Sequence, residues 1–161
     1  MRVRSALMAM LAVLTLASSA CGGGGGSSPN TPTPVPTESF VDSFKTVTGQ
    51  FQQGAQAIGT EIAAAASQTD AQLEAAFKSL ADKWQTVLSK LETLTPPADV
   101  QEDFNTLKDA ASRVEADLNA IVSAAQTHDA SAARQASATL VNDIQAAKSA
   151  AQTIDQKLGI T

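Results

Sequence analysis

The sequence predicts an all-α protein: an up-down-up-down antiparallel four-helix bundle preceded by a signal peptide and a disordered linker. Three observations carry that prediction. From Phe40 onward, apolar residues recur at alternating spacings of three and four, the seam pattern of left-handed helical bundles. The breaks between the periodic stretches are short, which makes successive helices antiparallel neighbours. Before Phe40 this periodicity is absent; there is a short apolar run and then a Gly/Ser/Thr/Pro-rich stretch.

Residues 1–20 read as a signal peptide. Met1-Arg2-Val3-Arg4 gives a basic start, and residues 6–17 are apolar except for Thr15. That run is too short for a stable bilayer-spanning helix, which needs about 20 apolar residues, but it suits a signal-peptide core. Ser18-Ser19-Ala20 then offers small side chains to a signal peptidase, and Cys21 comes directly after. This junction resembles the lipobox of bacterial lipoproteins, whose terminal cysteine is acylated and becomes the mature N-terminus. Ser19 and Ala20 match the small residues of that motif; Ser18 stands where leucine is usual, and Leu16 lies two places upstream. The resemblance implies lipidation of Cys21, an exported protein and a lipid anchor on the bacterial cell membrane, facing outside the cytoplasm. Ordinary cleavage after Ala20, giving a secreted protein with a free thiol, stays open beside it. Cys21 is the sole cysteine of the chain, and an unpaired thiol in an exported protein calls for such an explanation.

Residues 21–38 form the lipidated cysteine and the linker. Five glycines at 22–26 are flexible, and Pro29, Pro32, Pro34 and Pro36 stiffen the remainder of the segment. With nothing to bury, the segment is expected to be disordered, with a reach of up to roughly 50 Å.

Residues 39–161 are expected to hold the bundle, with helices at about 39–67, 70–95, 98–126 and 130–158. The first seam runs from Phe40 through Phe44, Val47, Phe51 and Ile58 to Ala65, and the second from Leu73 through Phe77 and Trp84 to Leu94. The third runs from Val100 through Phe104, Leu107 and Leu118 to Ala125, and the fourth from Ala133 through Leu140 and Ile144 to Leu158. Thr69 with Gln72 makes a capping box for helix 2. Thr95-Pro96-Pro97 ends that helix, and Pro97 or Asp99 opens helix 3. Residues 126–129 separate helices 3 and 4, and Gly159 closes the last. Half of the fourth seam is alanine, so helix 4 is expected to pack closely, bury little area and open most easily. Gly49, Gly54 and Gly59 inside helix 1 are expected to permit close packing, and Trp84 to anchor the core. The segment Leu91-x-x-Leu94-x-Pro96-Pro97-Ala98-Asp99-Val100 resembles a turn of small helical bacterial lipoproteins of unknown function, from which no functional residue carries over.

The chemistry-bearing residues are few. His128 is the single histidine, lies in an expected loop and is read as solvated; no Glu-x-x-His pair suits a di-iron bundle. There is no Cys-x-x-Cys-His for haem, and Met1, Met8 and Met10 all fall within the signal. No Gly-x-Ser-x-Gly occurs, and the five glycines lack a lysine after them. The carboxylates of Glu102, Asp103, Glu115 and Asp117 read as solvated groups that complement the helix dipole. No catalytic, cofactor-binding or metal residues are therefore expected, and the protein is expected not to be an enzyme. The chain carries a net charge of −5; loss of Arg2 and Arg4 leaves nine basic against sixteen acidic side chains, or −7. Without a basic stripe, nucleic acid is excluded as a partner. The expected function is a lipid-anchored extracytoplasmic interaction or scaffold module, with the membrane and an envelope protein as partners. The alternative is a helical bundle that binds a small apolar or amphipathic molecule between the glycines of helix 1 and the alanines of helix 4. An enclosed cavity of roughly 300 Å³ or more would favour the second.

Overall fold

The computed structural model describes residues 37–160, so the expected signal peptide, Cys21 and most of the linker lie outside the described residues. The described part is all-α and bundle-like, with α1 at Thr37–Ala64, α2 at Asp70–Glu92, α3 at Gln101–Gln126 and α4 at Ala130–Leu158. Short 3-10 turns at Ala65–Ser67 and Ala98–Val100 extend α1 and lead into α3. No strand occurs among the described residues.

Local chemistry explains each boundary. The run of alanines at 63–66 winds down through a 3-10 turn, and Gln68 and Thr69 are extended. The Thr69 hydroxyl then accepts from the Gln72 amide at 3.3 Å, while Gln72 Oε1 accepts from the Thr69 amide at 2.9 Å, which satisfies two otherwise orphaned donors. α2 stops at Glu92, three residues short of the expected 95. Its last turn tightens as the Thr93 and Leu94 amides reach back three residues, and Pro96 disfavours a helical Thr95. Pro97 precedes the 3-10 turn, so α3 itself opens only at Gln101. At the α3–α4 junction His128 adopts φ 55°, the one positive φ at a non-glycine residue among those described. The His128 and Asp129 amides bond to Ala125 and Ala124 oxygens, the pattern that closes a helix when its exit residue turns left-handed. Asp129 then caps α4, its Oδ1 accepting from the Ser131 and Ala132 amides at 3.0 and 2.9 Å. Gly159, at φ 65°, ends α4 in the same left-handed manner.

The seams face one core. Every residue of the α3 seam from Val100 to Ala125 is buried, joined by Ala110 and Ala124, and α2 adds Ala81 and Leu88 to Phe77, Trp84 and Leu91. Phe40 and Phe44 of α1 stack at 5.4 Å, and Phe104 of α3 meets Phe40 edge-on at 5.7 Å. Trp84 is buried, sits 4.9 Å from the Phe51 ring and donates from Nε1 to the Ala111 oxygen at 2.8 Å. That bond ties α2 to α3 while satisfying the indole N–H. α3 packs extensively along both α2 and α4, whereas α1 packs along α2 and meets α4 at few points. Arg113 and Asp143 pair at 2.8 Å between α3 and α4. Lys157 with Asp103 also joins α3 to α4, and Gln126 with Glu74 joins α3 to α2. The alanines of α4 let it approach α3 closely, so the least secured helix is α1 rather than α4, contrary to the sequence expectation.

Candidate functional site

The last turns of α1 and α3 and the first turns of α2 and α4 are rich in alanine. Ala65 and Ala66 lie on one side, with Ala124, Ala125, Ala130 and Ala133 on the others. A methyl group fills far less space than the leucines and phenylalanines that occupy equivalent seam positions elsewhere. The outcome is a cavity of about 460 Å³ among these turns. Its larger apolar walls are Ile62, Leu73, Phe77 and Ile121. At roughly 30 Å³ per water, the space corresponds to about 15 water molecules. It is a cleft open to solvent on one side, since Ala66, Asp70, Asp129, Ala130 and Arg134 in its lining are exposed.

Polar groups are confined to a few positions around it: Gln68, Asp70, Asp129, Arg134 and Ser137. Most of them are engaged. Asp70 is bonded to His128 Nδ1, Asp129 caps α4, and the Ser137 hydroxyl donates to the Ala133 oxygen at 2.8 Å. Gln68 is half engaged: its Nε2 donates to Glu61, while its Oε1 is buried without a hydrogen-bond partner. Because the Glu61 carboxylate only accepts, the amide orientation is fixed, with nitrogen toward Glu61. Arg134 is exposed and has no ion-pair partner among the described residues, in contrast to Arg113.

The residues singled out by sequence divide sharply. Cys21 lies outside the described residues. Of the three glycines, only Gly54 is closely packed: a Cβ there would stand 3.3 Å from two ring carbons of Trp84, whereas Gly49 and Gly59 face open space. The cavity is therefore not beside the glycines. Trp84 is a core side chain and does not line the cavity. His128, read as free in solvent, is 76% exposed but bonded to Asp70, which links the α3–α4 turn to the start of α2. Asp103 pairs with Lys157 as a surface group would.

Asp117 departs from its reading as a solvated carboxylate. It is half-buried, and its Oδ2 is buried without a partner. Burial first, then the charge of Asp143 and hydrogen bonding to it, push its carboxyl up to about 6, with Arg113 pulling the other way. A proton on Asp117 relieves the like-charge repulsion from Asp143. Asp155 is also raised by burial, against the pull of Lys45. Sequence gives no sign of the Asp117–Asp143 encounter, which depends on the register of α3 against α4.

No group of three or more histidine, cysteine, aspartate or glutamate side chains suited to a metal occurs among the described residues. No described helix is long and apolar enough to cross a membrane. The arrangement is suited to enclosing an apolar body with a polar end at its mouth. Neither a family model, nor a curated protein, nor a solved structure matches this chain.

Proposed function

We propose that this protein is an exported lipoprotein, held by an acylated Cys21 and a linker of residues 22–38. Its up-down-up-down antiparallel four-helix bundle binds a small apolar or amphipathic molecule in the cavity beside Gln68 and Ala133. The observation that carries the binding reading is the cavity itself. At about 460 Å³ it falls within the 300–1,000 Å³ range of ligand sites, with apolar walls and a few polar groups at the edge. The antiparallel order is supported by the pairs Glu74–Gln126 and Asp103–Lys157, each joining the start of one helix to the end of the next. Docking on an envelope protein, the first expectation from sequence, has less to rest on. Val141, at 49% exposure, is the one large hydrophobic side chain left exposed among the described residues.

Two experiments test the two halves of this reading. Replacement Cys21→Ser abolishes incorporation of labelled fatty acid; retained labelling removes the anchor. For the cavity, the full chain carrying Cys21→Ser is purified without detergent, extracted with organic solvent and analysed by mass spectrometry. A discrete small molecule accompanies this chain and is lost when Ala133→Trp fills the void. Absence of any such molecule, together with failure to bind a neutral apolar fluorophore, removes the binding reading.

A further inference from the structure

The walls of the cleft are not held alike. Residues 59–68, the end of α1 with its 3-10 extension, bury no side chain, whereas the earlier part of α1 buries Phe40, Phe44, Val47, Phe51 and Ile58. Every side-chain hydrogen bond of residues 59–68 stays within α1 and its extension: Thr60 to Gln56, Ser67 to Ala64 and Gln68 to Glu61. Few buried contacts and no polar tie to a neighbouring helix mark a segment of low local stability. The α2–α3 side is tied twice, by His128 to Asp70 and by Gln126 to Glu74. The first turns of α4 bury nothing before Ala136, but the turn leading into them is fixed by the same His128–Asp70 bond and by the Asp129 cap. The loosely held segment also lies between two points where the chain can bend. Gly59 is exposed, a Cβ there would meet nothing within 4 Å, and glycine holds a helix more weakly than any residue but proline. At the other end Gln68 and Thr69 are extended, which separates the segment from α2. Between the two, the Glu61–Gln68 bond braces the segment so that it moves as one piece.

We propose that residues 60–68 form a lid that bends at Gly59 and at Gln68–Thr69, swings away from α4 to admit a ligand and settles back over it. The inference rests on the proposal that the cleft is a binding site. Ile62 and Ala65 are the inner face of the lid, and Leu73, Phe77 and Ile121 belong to the fixed side. Ala66, Ala130 and Arg134 line the cleft and are exposed, so in the empty chain the lid covers it only in part. α1 meets α4 at few points, so little has to separate when the lid swings out. Ile62 and Ala65 are only half-buried in the empty chain, and an apolar molecule against them supplies contacts they lack. A ligand that touches the lid in its settled position and not in its open one shifts the balance toward the settled position.

The test uses the full Cys21→Ser chain with N-phenyl-1-naphthylamine, an uncharged apolar fluorophore, as the probe. In hydrogen exchange read by mass spectrometry, the amides of residues 60–68 exchange about tenfold faster than those of residues 44–58 in the empty chain, and they slow when the probe is added. Stopped-flow mixing then measures entry and release of the probe. Gly59→Ala slows both by about threefold to fivefold, the ratio that the helix preference of alanine over glycine supports, and leaves the affinity within about twofold. Gly59 does not line the cleft, so the substitution acts on the bending of the lid and not on contact with the probe. Gly49→Ala, at an equally open position earlier in the same helix, leaves both rates unchanged. Circular dichroism confirms that both variants keep the fold. Equal protection of both parts of α1, no slowing of exchange on addition of the probe, or unchanged rates in Gly59→Ala overturns the lid while the cleft remains a binding site. If the probe does not bind the parent chain at all, the binding reading falls and the lid with it.

Discussion

The two halves of the core are built from different side chains. Around Phe40, Phe44, Phe51, Trp84 and Phe104, aromatic rings from three helices pack in stacked, tilted and edge-on pairs and leave little unfilled space. Around Ala65, Ala125 and Ala133 the same seams continue with methyl groups, and an open cleft of about 460 Å³ results. The periodicity is equally good in both halves. Periodicity determines which face of a helix turns inward; side-chain volume determines whether the facing surfaces meet. A close-packed half can hold the bundle together while the other half forgoes packing stability and keeps a space.

Substitutions on either side of that divide should behave oppositely. Phe104→Ala, in the closed half, costs about 3–5 kcal/mol, whereas Ile62→Ala, a half-buried side chain on the cavity wall, costs about 1–2 kcal/mol. Urea unfolding followed by circular dichroism measures both, and similar losses would erase the distinction. Enlargement gives the next effect. Ala111→Leu overpacks against the Trp84 contact and costs about 1–3 kcal/mol, while Ala133→Leu fills empty space and gains about 1 kcal/mol.

The third prediction concerns pH. The native Asp117 carboxyl titrates near 6, above its ordinary value of 3.8, so the folded chain holds this proton more tightly than the unfolded chain. Its contribution to stability is complete below about pH 4 and is lost as the pH rises through about 6. Asp117→Asn leaves stability at pH 4 nearly unchanged and raises it by about 1 kcal/mol at pH 7.5, a figure reduced for the partial exposure of the site. Thermal unfolding across that range checks it; an equal effect at both pH values would contradict the assignment. The smallest effects lie in α1. Gly49→Ala and Gly59→Ala each gain about 0.5–1 kcal/mol, since both positions open onto free space. Gly54→Ala brings no such gain, because its Cβ presses on a buried ring held by its own hydrogen bond.

Much of the fold is legible in the sequence because it depends on local signals. The Thr69–Gln72 box, the Pro96-Pro97 break and Gly159 each mark a helix end through chemistry within three or four residues. The seams identify Phe44, Trp84, Leu118 and Ile154 as inward-facing by spacing alone. α2 ends three residues before its apolar period does, because Leu94 continues the pattern after the backbone has left the helix. The left-handed turn at His128 carries no sequence mark, because glycine or asparagine usually occupies such a position. The cavity is less accessible still. Its signal is present as alanine at 63–66, 124–125 and 132–133, but those stretches acquire meaning only when four helix ends are brought together. Gln68, Arg134 and the Asp117–Asp143 contact depend on register in the same way.

Trp84 has a consequence for observation. It is the chain's one tryptophan, it lies under Gly54 of α1, and it donates to the Ala111 oxygen of α3. A single natural fluorophore therefore reports on the joining of three helices. Loss of α1 would wet the indole and shift its emission to the red. Helical ellipticity, by contrast, sums over all four helices and falls whichever of them is lost. The protein thus carries a built-in two-channel record of the order in which it comes apart.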